Sequence, residues 1–219
     1  MKPLLFMPSP REIPEVEESW DALPYDKYIV KNMLEKPAYQ KGRDFFLEHE
    51  EYTHIVICPD DLIIDYNNFE LLKRTTEEND LSNLCGVAMV DEESNAYACK
   101  PLGVPFSAMS GGSYYYRDKE RNYKLLPDNQ ILEVGYTGFM IQFLERDLVE
   151  THLSFDGGCE NNNGCMDLMQ SREMSSNHIP YLVHTGAFFT HLRRRQYKET
   201  KEWIKHGDHT GYTIHLQKG

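Results

Sequence analysis

The chain has 219 residues, 40% of them hydrophobic, enough to bury one sizeable core and to make a single domain over 1–219 the expectation. With 23 Lys and Arg against 35 Asp and Glu the formal charge is −12, which argues against nucleic acid as a partner; a polyphosphate ligand would need local positive charge, from a divalent metal or a few placed arginines. Cys58, Cys85, Cys99, Cys159 and Cys165 are odd in number and lack the CxxC spacing of a zinc site, which fits reduced thiols in a cytoplasmic protein.

The opening "MKPLLFMPSPREIPEVEE" has a brief apolar run cut short by prolines and acids, where a signal peptide needs a longer apolar region, so Pro3 to Met7 is predicted as a first strand. No stretch approaches the roughly 20 apolar residues that span a bilayer, and no transmembrane segment is expected. "EVEESWDAL" predicts an acid-rich first helix, Asp26 to Met33 a second strand, and Ala38 to Glu50 a second helix with Tyr39, Phe45 and Phe46 for its buried side. "THIVICPDD" is a third strand, "YNNFELLKRTTEE" a third helix, and Asn83 to Val90 a fourth strand. This alternation predicts an α/β fold, a mainly parallel central sheet with helices on both faces, in which ligands sit beyond the carboxyl ends of the strands.

From Asp91 to Pro127 the sequence is rich in Gly, Ser, Pro and Tyr, including "MSGGSYYYRD", and predicts long loops with short strands. "ILEVGYTGFMIQFLERDLVETH" returns to strand, a glycine-punctuated turn and helix. "FDGGCENNNGC" is a loop, "MDLMQSREM" a short helix, and "YLVHTGAFFTHL" a last strand-like segment. The tail from Arg193 is predicted as helix plus coil.

Chemistry-bearing residues gather where strands end. Asp60 and Asp61 follow "HIVIC", with Asp65 shortly after. Adjacent carboxylates repel, so away from solvent they call for a cation, and oxygen ligands suit Mg²⁺ or Mn²⁺; the alternative is a helix cap or solvated turn. Asp167 begins a helix after a glycine-rich loop and is placed to face the same cleft. His191 ends an apolar run, with Arg193, Arg194 and Arg195 just beyond, and an imidazole beside carboxylates tilts the preference towards Mn²⁺. His191 also reads as a satisfied histidine near the core, and the arginines as a solvated face. Tyr114 to Tyr116 suit packing or a sugar-stacking wall. His206, His209 and His215, with Asp208, match no zinc signature and are taken as tail residues.

The strand, helix, strand opening, the acidic "PDD" where a DXD motif would stand, the "YTGFM" turn, an acid at a helix start and a late histidine together resemble a GT-A glycosyltransferase. "MPSPREIPEVEESW" with "YTHIVICPDD" is most similar to the small glycosyltransferase domain encoded by chlorella viruses. The resemblance covers nearly the whole chain. It implies a nucleotide-binding, Rossmann-like half over about 1–100, an acceptor half over about 101–192 and a tail over 193–219. It implies Asp61 as direct ligand of a divalent metal, Mn²⁺ or Mg²⁺, bridging the diphosphate of a nucleotide sugar, with Asp60 at the ribose or metal and His191 completing the metal shell. Pro59 departs from the family pattern, standing where the first aspartate of the motif belongs, which leaves the number of metal-bound carboxylates open. Arg43 matches a position that reaches the nucleotide. The loop from Pro8 and Ser9 to Arg11 is expected to border the base, and Arg193 and Arg195 to lie near the phosphates.

The expected activity is transfer of a hexose from a nucleoside-diphosphate sugar, UDP-sugar favoured, to a hydroxyl of a glycan or glycoprotein. Asp167 is the candidate base of an inverting reaction, with Asp156 and Glu160 in reserve. A retaining route, which needs no such base, is the mechanistic alternative. A nucleotidyltransferase and a non-catalytic glycan-binding module on a degenerate transferase fold are the functional ones. The expected location is the cytoplasm, that of the host if the protein is viral.

Overall fold

The computed structural model describes residues 1–90, 96–103, 115, 117, 125–156, 166–192 and 213–219. Strand β1 (Pro3–Ser9) is buried along its whole length, because it has a neighbour on each edge and a helical layer on each face. Leu4 and Phe6 point into one apolar cluster, Leu5 and Met7 into the other, as the two-residue period of a strand requires. Helix α1 (Pro14–Asp21) starts on a proline, with Glu15 and Glu17 in its first turn, where the helix dipole favours negative charge. It leads to β2 (Lys27–Lys31). Helix α2 (Glu35–Glu48) then returns the chain to β3 (His54–Ile57). Both β2 and β3 run parallel to β1, with Leu5 opposite Lys27 on one side and Val56 on the other.

After a two-residue strand β4 (Leu62–Ile63), helix α3 (Tyr66–Glu78) is capped by Asp65, whose side chain accepts the Asn68 N–H at 2.9 Å. There follow β5 (Asn83–Val87), β6 (Cys99–Lys100), β7 (Ile131–Val134), β8 (Tyr136–Thr137) and β9 (Gln142–Glu145). Helices α4 (Arg146–His152) and α5 (Met166–Ser176), then β10 (Tyr181–Phe188), β11 (Thr190–His191) and β12 (Thr213–Gln217), complete the described elements.

Eight strands form one sheet in the order β12-β2-β1-β3-β9-β5-β10-β7. Five of them, β2, β1, β3, β5 and β10, point the same way; β12, β9 and β7 oppose them, so the sheet is mixed where a mainly parallel one was expected. The reason is β9, which enters from the strand-end side and fills the gap between β3 and β5 antiparallel to both. The two expected halves therefore share one sheet. The predicted helix plus coil of the tail is corrected within the described residues: 213–217 form an edge strand on β2.

Helices cover both faces. Val16 and Trp20 of α1 and Phe69 and Leu72 of α3 pack with Leu5, Met7 and Val56; Ala38, Tyr39 and Phe46 of α2, Leu148 and Val149 of α4, and Met174 of α5 pack on the other face. Arg146 ties these elements together: its guanidinium donates to the carbonyls of Phe46 and His49, which end α2, at 2.8 and 2.7 Å, and to that of Tyr52 at 2.8 Å. A cation at a helix C-terminus satisfies carbonyls that have no partner within the helix. Among the described residues no helix is long and apolar enough to cross a membrane.

Candidate active site

Beyond Ile57 the chain leaves β3 through Cys58 and Pro59 and presents Asp60 and Asp61, buried at 3% and 6% exposure. The short β4–β11 ribbon decides what stands opposite them. His191 pairs with Leu62, and the Leu192 N–H donates to the Asp61 carbonyl at 2.9 Å. The His191 ring is thereby brought to the Asp61 carboxylate, with Nε2 3.1 Å from Oδ2. Its Nδ1 lies 3.1 Å from the Met89 carbonyl oxygen, which only accepts, so Nδ1 carries the proton. In the neutral ring, Nε2 then turns a lone pair towards a carboxylate oxygen. A proton shared with the ring, which makes it an imidazolium donating to Asp61, satisfies this contact, and a metal ion held by both groups would do so as well. Burial would raise the Asp61 carboxyl, but the hydrogen bond and charge of His191, with the charge of Arg11, outweigh it and hold the group below the usual carboxylate range.

Asp60 is engaged differently. Arg11 donates its backbone N–H and Nε to Asp60 Oδ2 at 3.2 and 2.8 Å, and its Nη2 to Oδ1 in the paired geometry of a guanidinium on a carboxylate. Nη2 also lies 3.8 Å from Asp61 Oδ2. Arg11, expected to border the base, supplies positive charge to the acid pair. Among the described residues, no group of three or more His, Cys, Asp or Glu is arranged to hold a metal ion. The residues that face one another as an O,N donor set are Asp61 and His191. This is sparse but suits Mg²⁺ or Mn²⁺, which bind through one or two protein ligands with water and substrate phosphate filling the remainder.

Asp167 opens α5 with its carboxylate held at both oxygens. The Tyr136 hydroxyl donates to Oδ2 at 2.7 Å and the Leu168 N–H to Oδ1 at 2.7 Å. Desolvation is the largest influence on this group and raises its carboxyl, and the Asp61 charge adds to the rise, against the lowering effect of the two donors. Asp61 and Asp167 both act on the buried phenol of Tyr39, which burial first, and these acids with Glu35, push well above its ordinary value. Arg11 thus lies beside Asp61, and Asp61 and Asp167 are near enough for their charges to interact. Tyr136 is a functional candidate that the sequence reading did not single out. The signal for Tyr136 lay in "YTGFM", read there as a turn.

The other expected residues make the following contacts. Pro8 is buried in β1 opposite Val30. Ser9 is fully buried and donates to Glu17 Oε1 at 3.0 Å, a contact that joins β1 to α1. Arg43, expected at the nucleotide, donates to the Leu153 carbonyl at 2.6 Å and reaches those of Val149 and Glu150 at 3.4 Å, so it caps α4. Asp156 is exposed and accepts from Gln40 at 2.7 Å. Tyr115 is a core residue at 1% exposure, and His215 is exposed on β12. Arg193, Arg194, Arg195, Glu160, Tyr114, Tyr116, His206, Asp208, His209, Cys159 and Cys165 lie outside the described residues.

No family model and no curated protein matches the chain. Among solved structures its fold is similar to that in the crystal structure of A197 from STIV, with a TM-score of 0.60 at 15% identity over 88% of this chain and 86% of that one. At this identity the likeness is one of fold.

Proposed function

We propose that the chain is a metal-dependent glycosyltransferase of the GT-A type, acting on a nucleoside-diphosphate sugar, UDP-sugar favoured, and a glycan hydroxyl. The supporting fold is glycosyltransferase-like, through its likeness to A197. The observation that carries the proposal is the close approach of Asp61 and His191, Nε2 3.1 Å from Oδ2, buried at a strand end and within reach of the charge of Asp167. Asp61 and His191 would hold Mn²⁺ or Mg²⁺, which when bound neutralises negative charge on the departing diphosphate.

Asp167 is the proton acceptor in this scheme. The acceptor hydroxyl oxygen forms a bond to the anomeric carbon and its proton passes to an Asp167 oxygen. The bond from the anomeric carbon to the diphosphate breaks, and its electron pair leaves on the diphosphate. A carboxyl raised by desolvation is a stronger base than one in water, which suits it to take that proton. Arg11 holds Asp60 in place and adds positive charge beside Asp61 in an otherwise acidic protein. Arg193 and Arg195 are proposed for the phosphates on their sequence position alone.

One observation favours a second reading. Asp60 is fully engaged by Arg11 and Pro59 replaces the first acid of the motif, as a glycan-binding module on a degenerate transferase fold would tolerate. A thermal-shift panel of nucleotide sugars, with and without Mn²⁺, separates the two, since a ligand bound only by the folded state raises its stability by mass action. A metal-dependent shift with one donor supports the transferase. Stabilisation by glycans, with none by any nucleotide sugar, supports the module. Release of pyrophosphate rather than nucleoside diphosphate would instead indicate a nucleotidyltransferase.

A further inference from the structure

Resting on the reading of Asp167 as the base, we infer that Tyr136 is its positioning residue: its hydroxyl, 2.7 Å from Asp167 Oδ2, fixes the carboxylate so that the remaining lone pair is presented to the cleft. A carboxylate offers about four acceptor positions. Here Tyr136 takes one on Oδ2, the Leu168 N–H one on Oδ1 and the residue's own backbone N–H another, which leaves about one to meet an incoming proton.

The fold builds this contact deliberately. Tyr136 sits on β8, which pairs with β6 so that Tyr136 lies opposite Lys100, and the Lys100 Nζ stands 5.7 Å from the centre of the Tyr136 ring. Two residues on, a side chain at Gly138 would have its Cβ 2.8 Å from the Met140 methyl and 3.6 Å from Asp167 Oδ2. Gly138 thus places β8 in direct contact range of the carboxylate. A bare carboxylate at the start of a helix can rotate about its last torsion; one anchored through both oxygens by a strand and by its own helix cannot do so freely.

The contact also opposes the rise that burial imposes on Asp167. Tyr136 from β8, with Lys100 behind its ring, meets this carboxyl directly, and Asp61 from the strand-end loop, Tyr39 from α2 and Tyr181 from β10 interact with it through their charges. Of these, Tyr136 is the one whose hydrogen bond favours the ionised form. Without it, Asp167 would hold its proton to a higher pH.

The test is carbon NMR of protein labelled at the aspartate carboxyl carbon, metal-free, with the Asp167 resonance identified by its loss in Asp167→Asn. In Tyr136→Phe the Asp167 midpoint should move up by about one pH unit or more, the worth of one hydrogen bond to a charged group. An identical midpoint in a folded variant overturns the inference. If Tyr136→Phe does not fold, 3-fluorotyrosine placed at position 136, a more acidic donor, should move the midpoint down; no movement overturns it equally. With a working donor and acceptor, Tyr136→Phe should lower kcat and shift the acid limb of its pH profile upward while the donor KM stays. Should no nucleotide sugar bind the wild type, the transferase reading fails, and the carboxyl titration still decides whether Tyr136 governs Asp167.

Discussion

Asp61 and Asp167 are two acids at the same end of one sheet, and their surroundings push them in opposite directions. Asp61 is buried against His191 and near Arg11, whose charges hold its carboxyl down despite desolvation. Asp167 is met by a phenol, a backbone N–H and the charge of Asp61, and desolvation prevails. Burial is common to both; the charge of the partners differs. An acid held ionised is fit to hold a cation and an acid pushed up is fit to receive a proton, and the division of labour proposed for the two rests on this difference.

Removing the basic oxygen from Asp167 should have the largest effect. Asp167→Asn keeps shape and hydrogen-bonding capacity, so sugar transfer, measured by release of nucleoside diphosphate, should fall about 10²-fold or more while donor affinity is retained. Full transfer activity in that variant would remove Asp167 from the chemistry and favour a retaining route.

The next effect falls on the fold of the acid pair. Arg11→Ala strips the paired donor from Asp60, which is 3% exposed, and leaves a buried charge without its partner. Urea denaturation should show a loss of about 3 to 5 kcal/mol. Adding Asp60→Asn to Arg11→Ala should restore part of it; no restoration would mean that Arg11 acts elsewhere.

His191→Ala should raise the Mn²⁺ concentration needed for donor binding by about tenfold or more, with the fold retained, because one of the two facing donors is gone. An unmoved metal titration would return His191 to a core role, its Nδ1 bond to Met89 being then its purpose.

The smallest effect concerns stability and pH. A carboxyl raised in the folded state stabilises the fold while protonated in both states, and that contribution is lost as pH rises from about 4 through the raised folded value. Asp167→Asn should therefore melt a few degrees higher than wild type at pH 7, the difference shrinking as pH falls below about 4. A lower melting temperature at pH 7 would show that the Tyr136 and Leu168 contacts to the carboxylate outweigh its burial.

Much of this arrangement was legible in the sequence where the cues were local. "HIVIC" ending in two acids announced a strand end with charge, and α3 matched its predicted range because Asp65 caps it and Phe69 and Leu72 recur on one face. His191 was found through its place after an apolar run. Contacts between distant segments were not legible. The insertion of β9 between β3 and β5 depends on pairing across some 85 residues of sequence, from His54 opposite Glu145 to Ile57 opposite Gln142, and no periodicity encodes a partner. Arg43 and Arg11 look alike as basic residues near predicted ligand loops; only the fold shows that one meets the carbonyls ending α4 and the other meets Asp60. The β12 edge strand escaped although Ile214 and Leu216 alternate with polar neighbours, because the run is short and its partner β2, with Lys31 opposite Thr213, lies near the other end of the sequence.

The account rests most heavily on a cation held between Asp61 and His191 for a diphosphate. Calorimetry of Mn²⁺-dependent nucleotide-sugar binding, comparing wild type with Asp61→Asn, tests this most directly. The wild type should bind its donor with Mn²⁺ and lose that binding on chelation, and Asp61→Asn should show no metal-dependent binding while remaining folded. Donor binding that is equally tight in Asp61→Asn, or unchanged when Mn²⁺ is removed, would contradict it.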